Sequence, residues 1–461
     1  MGFFKAYDMR GTFGRDFDLA LVRKIGAALP GVLGARRFLV GRDARSTGPA
    51  VAAALSRGLA SAGASVADIG LCSTPMVYFF TAEDGFDASV MVTASHNPAG
   101  DNGLKVSAAG ARPVGYADGL GRVEAAVAAM PAAAPAADGD ADAALPASAQ
   151  PSAPSPERLE RYIAWQRQAT PLDSPKCRAL RYAVDCSCGA AGIFVAELFP
   201  GAVILNAVPD GRFPAHSPNP LLSEARKQIA ERVVRDGLDF GIVFDGDADR
   251  AIFVDERGRF VQPDYLIPFI ARASAHPGDT VIHDVRTSLG AIETLREDGF
   301  EPLMVPVGHV FAKKALRERG ASCGGELAGH YYFSEFHNCD SGVLAARRIV
   351  AQAAAAKARG NTFSQMVAPV SSRYANSGEL NFRVEDKDAA TARALAAAAK
   401  AFGREMSRSE IDGIRLGYDD GWFSVRRSNT EPFLRLVAEF RSRSRLDCAV
   451  QLLSEAIENG R

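Results

Sequence analysis

Asp245-Gly246-Asp247-Ala248-Asp249-Arg250 sets three carboxylates on alternate positions between two apolar runs, 238–244 and 251–254. Both runs read as buried strands, so the carboxylates fall on the tight turn that joins them. Like charges at that spacing repel, and a bound cation relieves the repulsion most directly. All-oxygen donors select a hard cation, Mg²⁺ ahead of Zn²⁺. Mg²⁺ held by few protein groups usually completes its shell with phosphate oxygens. An EF-hand would also use Asp245, Asp247 and Asp249, with Glu256 at its twelfth position. Arg250 stands where that loop needs its glycine, and strands rather than helices flank it. A solvated acidic turn without metal is the other alternative.

Three further segments carry chemistry. Thr93-Ala94-Ser95-His96-Asn97-Pro98 follows a strand, which places Ser95 where open parallel sheets bind ligands. Ser95 there could be a nucleophile or phosphate carrier, with His96 and Asn97 supplying hydrogen bonds. Equally, Ser and Asn could simply close a turn. Lys105, close behind, could reach the same site, although alone it reads as an ordinary exposed lysine. Gly324-Gly325-Glu326-Leu327-Ala328-Gly329-His330 lets the backbone approach a ligand, with Glu326 able to accept two hydroxyl protons. Arg426-Arg427-Ser428-Asn429-Thr430-Glu431-Pro432 joins cationic forks to small donors that suit a phosphate dianion. Taken alone, that last segment would read as a polar turn between strands.

Bulk properties narrow the classes. At 461 residues the chain exceeds one core, so several domains are expected. Lys+Arg 53 against Asp+Glu 54 argues against a broad basic surface for nucleic acid. No apolar run approaches the ~20 residues that span a bilayer, so no membrane association is expected. The first residues do not read as a signal peptide, because Asp8 and Arg10 interrupt them. Seven scattered cysteines read as reduced thiols of a cytoplasmic protein.

The elements that must hold these segments alternate. Strands are expected at 37–40, 65–69 and 88–92, with helices at 49–62 and 75–83, a βαβ pattern with a mostly parallel sheet. Residues 125–156, rich in Ala, Pro, Ser and Asp, read as a low-complexity linker. A second unit follows, with helices at 159–166, 192–198 and 221–235 and strands at 180–184 and 203–205. A third has strands at 280–283 and 302–305 and helices at 289–297, 310–319 and 342–357. The last unit, with strands at 377–384, 422–425 and 434–440 and helices at 387–402 and 446–457, reads as α+β. The domains expected are 1–156, 157–254, 255–370 and 371–461.

Taken together and in this order, the four segments resemble the α-D-phosphohexomutase family, above all its bacterial phosphomannomutase/phosphoglucomutase branch. Tyr7-Asp8-Met9-Arg10-Gly11, Gly41-Arg42-Asp43-Ala44-Arg45, Val307-Gly308-His309 and Asp412-Gly413-Ile414-Arg415 add to the match, which spans nearly the whole chain. The resemblance implies three related α/β domains and a mobile C-terminal α+β cap around a central cleft. It implies that Ser95 carries a phosphoryl group and that Asp245, Asp247, Asp249 and one phosphoserine oxygen bind a single Mg²⁺. It places Arg250 near the transferring phosphate and Glu326 on sugar hydroxyls. Arg426, Ser428, Asn429 and Thr430 would grip the phosphate that stays. Arg10, His96, Lys105, His309 and His330 are expected in the cleft, with Lys105 and His309 as proton-transfer or charge-stabilising partners.

The implied reaction interconverts hexose 1-phosphate and hexose 6-phosphate through a 1,6-bisphosphate, with glucose 1,6-bisphosphate as primer. The chain is expected to act as a monomer or weak dimer on small hexose phosphates. Closure of the cap would exclude water, with a hinge expected at 369–373. Ala328 replaces a serine that many relatives carry two positions after the glutamate, removing one hydroxyl contact. Leu327 replaces the glutamine usual in the glucosamine branch, which favours glucose or mannose over phosphoglucosamine mutase activity. Arg427 adds a charge beside the phosphate segment. A strand followed by Asp-x-Asp also resembles the haloacid-dehalogenase pattern, a phosphohydrolase with Asp245 as nucleophile. That reading leaves Ser95 unexplained.

Overall fold

The computed structural model describes residues 2–131, 155–428 and 433–458. Four sheets organise them. In the first, Arg37–Arg42 lies between Ser65–Leu71 and Ala88–Val92, parallel to both, and Asp101–Ala108 then pairs antiparallel with Ala88–Val92. The second repeats that order with Tyr182–Asp185 between Val203–Leu205 and Phe240–Phe244, followed by antiparallel Ala251–Asp255. The third repeats it again, with Thr280–Asp284 between Glu301–Val305 and Cys323–Gly325, then antiparallel Tyr331–Phe333.

The repetition extends to atoms. Each central strand ends in a buried aspartate whose Oδ1 accepts the backbone N–H two residues on. Asp43 takes Arg45 at 2.9 Å, Asp185 takes Ser187 at 2.8 Å and Asp284 takes Arg286 at 2.6 Å. The three units are therefore related, as expected. The turn between the third and fourth strands is also the same place in each unit. It carries Ser95 in the first, Asp245 to Arg250 in the second and Glu326 to His330 in the third. One topology thus delivers three different chemistries to one region.

Burial on both faces explains the central strands and capping explains several helices. Ala88–Val92 and Phe240–Phe244 are buried throughout, as central strands covered on both faces must be. Ser73 accepts Met76 N–H and starts the helix Thr74–Glu83 with Pro75 in its first turn. Ser341 accepts Leu344 N–H to start Gly342–Lys357. One continuous apolar core runs through the first three units, from Phe79 and Phe80 through Tyr162 and Phe194 to Phe240 and Phe336.

The fourth sheet is wholly antiparallel, in the order Ala375–Phe382, Leu434–Phe440, Gly421–Arg427, Ile414–Tyr418, Ser407–Ser409, and two helices, Lys387–Phe402 and Arg443–Glu458, pack with it. Its apolar core is separate from the others. Polar contacts attach it instead. Arg415 donates to the carbonyls of Val285 and Thr287, and Glu439 accepts Leu289 N–H at 2.7 Å. The segment expected as a hinge, 369–373, spans the end of the helix Phe363–Ser371 and the start of its link to Ala375–Phe382, and there Arg373 pairs with Glu297.

Several expectations need correction. The helix Gly121–Ala129 enters the range read as linker and buries Val123 and Val127, and the helix Pro156–Ala169 begins at its far end. Short alanine-rich turns hid the first; the rest of that range, 132–154, lies outside the described residues. The helix expected at 192–198 is two short turns, Ala190–Ile193 and Val195–Leu198. The helix expected from 221 begins at Ser223, with Leu222 left exposed as its cap residue. Asp101–Ala108 is a strand that its mixed composition concealed.

Candidate active site

Ser95 stands on a loop held from below. Its backbone has φ 52°, a left-handed conformation unusual outside glycine and asparagine. Three contacts hold it there. Ser95 N–H donates to Thr93 Oγ1 at 2.7 Å, and the Thr93 hydroxyl donates to Asp43 Oδ2 at 2.6 Å. The guanidinium of fully buried Arg45 grasps the loop carbonyls of Ser95, Asn97, Pro98 and Asp101 at 2.6 to 2.8 Å. Thus the Gly41–Arg45 segment is the foundation of the serine loop.

The serine hydroxyl meets the acidic turn directly. Ser95 Oγ donates to Asp245 Oδ2 at 2.8 Å and lies 3.2 Å from His96 Nδ1. Close backbone approach makes this contact possible: a Cβ on Gly246 would come within 2.7 Å of the Ser95 carbonyl oxygen. Asp245, Asp247 and Asp249 are all buried, with ligand oxygens within 4.8 Å of one another. Asp247 Oδ1 and Asp249 Oδ1 are buried and accept no hydrogen bond. Buried orphan carboxylate oxygens are costly unless a cation takes them, so the donor set fits a hard metal ion. Burial and the charges of Asp249 and Asp247 push the Asp245 carboxyl well above its usual range. Burial works in the same direction on Asp249, but the Lys105 ammonium outweighs it and holds that carboxyl low.

Lys105 corrects the reading of an exposed lysine. It is buried on the strand Asp101–Ala108, with Nζ 2.7 Å from Asp247 Oδ2 and 2.6 Å from Asp249 Oδ2. Thr74 donates to the same Asp247 oxygen at 2.6 Å. Burial opposes the lysine's charge, yet the two aspartates raise its pKa. Arg10 anchors its Nε on Asp8 at 2.7 Å and reaches the Ala94 carbonyl at 3.2 Å, beside the serine loop. His96 is held neutral by burial and by Arg250, Arg10 and Lys105.

The third and fourth loops close the arrangement. Arg250 donates Nε–H to His330 Nε2 at 2.9 Å. Glu326 is buried and accepts Tyr332 O–H at 2.8 Å and Gly308 N–H at 3.3 Å. Burial, with Asp284 adding to it, raises its carboxyl. Ala328 is half-buried on that loop, contributing no polar group. His309 lies 6.4 Å from His330 between ring centroids, and neither of its ring nitrogens has a hydrogen-bond partner. Burial, then the Lys313 ammonium, holds its pKa well down. Asp412 accepts Val307 N–H at 3.0 Å and pairs with Arg426 at 3.1 Å, which links the third and fourth units at the cleft. Arg426 Nη1 is buried without a partner. Ser428 follows the strand Gly421–Arg427, and Asn429 and Thr430 lie outside the described residues. Arg427 pairs with exposed Asp388.

The four segments therefore converge through direct contacts: Ser95 to Asp245, Asp249 to Lys105, Arg250 to His330, and the His309 loop through Asp412 to Arg426. Sequence reasoning missed Thr74, Asp340, Lys313 and Asp412 as individual contributors. Only Asp412 carried a local signal, as part of the Asp412-Gly413-Ile414-Arg415 fragment. Among the described residues no helix is long and apolar enough to cross a membrane, and all seven cysteines are free.

Models of the phosphoglucomutase/phosphomannomutase α/β/α domains I, II and III match residues 1–128, 160–258 and 262–374, and that of the C-terminal domain matches 379–452. Phosphohexose mutases of Xanthomonas campestris pv. campestris (strain B100) are 37% identical over 448 residues, 95% of each chain. A phosphomannomutase of Escherichia coli (strain K12) is 34% identical over 458 residues, covering 95% of this chain and 94% of its own. A phosphoglucomutase/phosphomannomutase family protein from Burkholderia thailandensis has a solved structure that aligns with TM-score 0.82 at 28% identity, over 99% of this chain and 97% of its own. The open form of pp63/parafusin, a phosphoglucomutase from Paramecium, shares the fold at 16% identity and TM-score 0.76, over 98% of this chain and 94% of its own.

Proposed function

Because the chain belongs to the phosphoglucomutase/phosphomannomutase family, we propose that it interconverts hexose 1-phosphates and hexose 6-phosphates, of mannose, glucose or both, with Ser95 as the phosphoryl carrier. The observation that supports this most is the 2.8 Å contact between the Ser95 hydroxyl and Asp245, at the edge of three buried carboxylates.

Asp245, Asp247 and Asp249 would hold one Mg²⁺, which when bound withdraws charge from phosphate oxygens. A solved N-acetylphosphoglucosamine mutase of Aspergillus fumigatus, 15% identical, was crystallised with GlcNAc-6P and magnesium. Phosphoryl transfer asks the protein mainly for position and charge. Ser95, in its constrained backbone, gives its phosphoryl group to O6 of a hexose 1-phosphate. The resulting 1,6-bisphosphate turns over in the cleft, and Ser95 recovers a phosphoryl group from O1. Arg10 and Arg250 flank the serine as cations. Lys105 is a charge-stabilising partner, and His309, with two vacant ring nitrogens, exchanges protons with the attacking or leaving hydroxyl. Glu326 faces sugar hydroxyls, and His330 stands beside it with both ring nitrogens engaged. Arg426 and Ser428, with Asn429 and Thr430, hold the phosphate that is not transferred, and phosphate recognition works whichever carbon bears it.

Ala328 departs from the serine of many glucose- and mannose-specific relatives, but Leu327 lacks the amide of the glucosamine branch, and on that ground glucose and mannose phosphates are the favoured substrates. Steady-state turnover of glucose 1-phosphate and mannose 1-phosphate, with Mg²⁺ and glucose 1,6-bisphosphate, tests the proposal. Ser95→Ala should abolish turnover by orders of magnitude. Retained turnover would favour an Asp245 nucleophile and reject the serine.

A further inference from the structure

Lys313 is a fully buried lysine with no place in the chemistry above. It lies on the helix His309–Arg319, and its Nζ sits 2.6 Å from Asp340 Oδ1, an ionic contact outside hydrogen-bond alignment. The same ammonium lies 3.7 Å from the Tyr78 ring centroid, packed against the first unit. Asp340, also buried, presents its other oxygen to His330 Nδ1 at 2.9 Å. The His330 ring lies near that of Tyr332, 6.2 Å between centroids and 27° between planes.

The hydrogen-bond chemistry then leaves one arrangement. Arg250 Nε carries a hydrogen and can only donate, so His330 Nε2 must be the acceptor. The ring proton is therefore on Nδ1, where it donates to Asp340. The backbones of Arg250 and His330 also pair as an isolated bridge, and a Cβ on Gly342 would come within 2.6 Å of the Arg250 carbonyl. Arg250 is thus fixed at its backbone and at Nε. Its terminal guanidinium nitrogens make no hydrogen bond among the described residues and remain for a ligand.

We propose that Asp340 and Lys313 are positioning residues for phosphoryl transfer: Lys313 orients the Asp340 carboxylate, Asp340 fixes the Nδ1–H tautomer of His330, and that tautomer aims Arg250 at the phosphoryl group on Ser95. This rests on the reading that Ser95 carries the group. The chain Lys313–Asp340–His330–Arg250 crosses from the third unit into the second, so it also couples sugar-side and metal-side loops.

Asp340→Asn separates positioning from packing. Lys313 draws the amide oxygen to itself, so the amide NH₂ faces His330 Nδ1. The ring must then accept there and carry its proton on Nε2, opposite the Arg250 Nε–H. In the Mg²⁺-loaded protein, kcat should fall about a hundredfold while KM for glucose 1-phosphate stays within about threefold. Adding Lys313→Met frees the amide to turn its oxygen to His330, and kcat should recover at least about tenfold over the single variant. Removing the ammonium that Asp340→Asn leaves buried and unpaired restores stability under any role, so the return of the His330 proton to Nδ1 in the double variant is what positioning alone predicts.

The tautomer is read without turnover by long-range ¹H–¹⁵N spectra of protein labelled at histidine, with the His330 signal identified by its loss in His330→Gln. Wild type should show the proton on Nδ1 and Asp340→Asn should show it on Nε2. Wild type with the proton on Nε2, an undiminished kcat in Asp340→Asn, or a double variant no better than the single overturns the proposal. An inactive wild type with the Nδ1 proton would instead sink the serine-carrier reading alone.

Discussion

Arg45→Lys should disable the serine loop without touching any group that meets substrate. Arg45 serves five acceptors: Asp43 through Nε at 3.2 Å, and the carbonyls of Ser95, Asn97, Pro98 and Asp101 through its two terminal nitrogens. Lysine has three donors on one atom and no planar fork, so at least two acceptors lose their partner. At about 1–3 kcal/mol for each buried group left unsatisfied, the cost is about 2–6 kcal/mol. Part of that strain would be relieved by the loop relaxing away from φ 52° at Ser95. A shift of about 1 Å there costs about a hundredfold in kcat. The sugar loop around Glu326 and the Arg426 segment stand on other units, so KM should change little. Urea unfolding followed by circular dichroism, beside steady-state kinetics, reads both effects. Wild-type kcat together with wild-type stability would refute the reasoning that Arg45 builds the serine loop.

Two further outcomes follow from individual groups. Gly246→Ala sets a Cβ within 2.7 Å of the Ser95 carbonyl, which Arg45 already holds, so urea unfolding should show about 1–3 kcal/mol of destabilisation and kcat should fall; an unchanged protein would contradict the packing. Burial, offset by Ser288 N–H and reinforced by Glu439, raises the Asp264 carboxyl from 3.8 to about 7. The folded chain therefore holds this proton more tightly than the unfolded chain. Its contribution is full below about pH 4 and is lost as pH rises through 7, at about 1.4 kcal/mol per unit. Asp264→Asn should remove that slope from urea midpoints measured between pH 5 and 8, and an identical slope in both proteins would be the contrary result.

The parts of the site legible in the sequence were those where local composition makes a physical demand. Three aspartates crowded on one turn favour a counter-cation, and a serine after a buried strand sits at a sheet's binding edge. The alternation of strands and helices was equally visible, because buried parallel strands are continuous apolar runs. Contacts between distant segments were not. Lys105 looks ordinary until Asp101–Ala108 is known to be a strand facing the acidic turn. Asp340 and Lys313 have no spacing signal, since only the third sheet and its neighbouring helix bring them together. The threefold repetition was implied only by the family resemblance and not by any repeat in the residues: the units share strand order and a strand-end aspartate, while their loops and helices have diverged in sequence.

The central claim is that Ser95 itself holds the phosphoryl group at the start and at the end of each turnover and gives it up only to form the 1,6-bisphosphate. Incubation of the wild-type chain with glucose 1,6-bisphosphate and Mg²⁺, followed by peptide mass spectrometry, addresses it directly. One phosphoryl group on Ser95, discharged by added glucose 6-phosphate, is the predicted result. A turnover-competent protein whose phosphoryl group is found on Asp245, or on any residue other than Ser95, would contradict it.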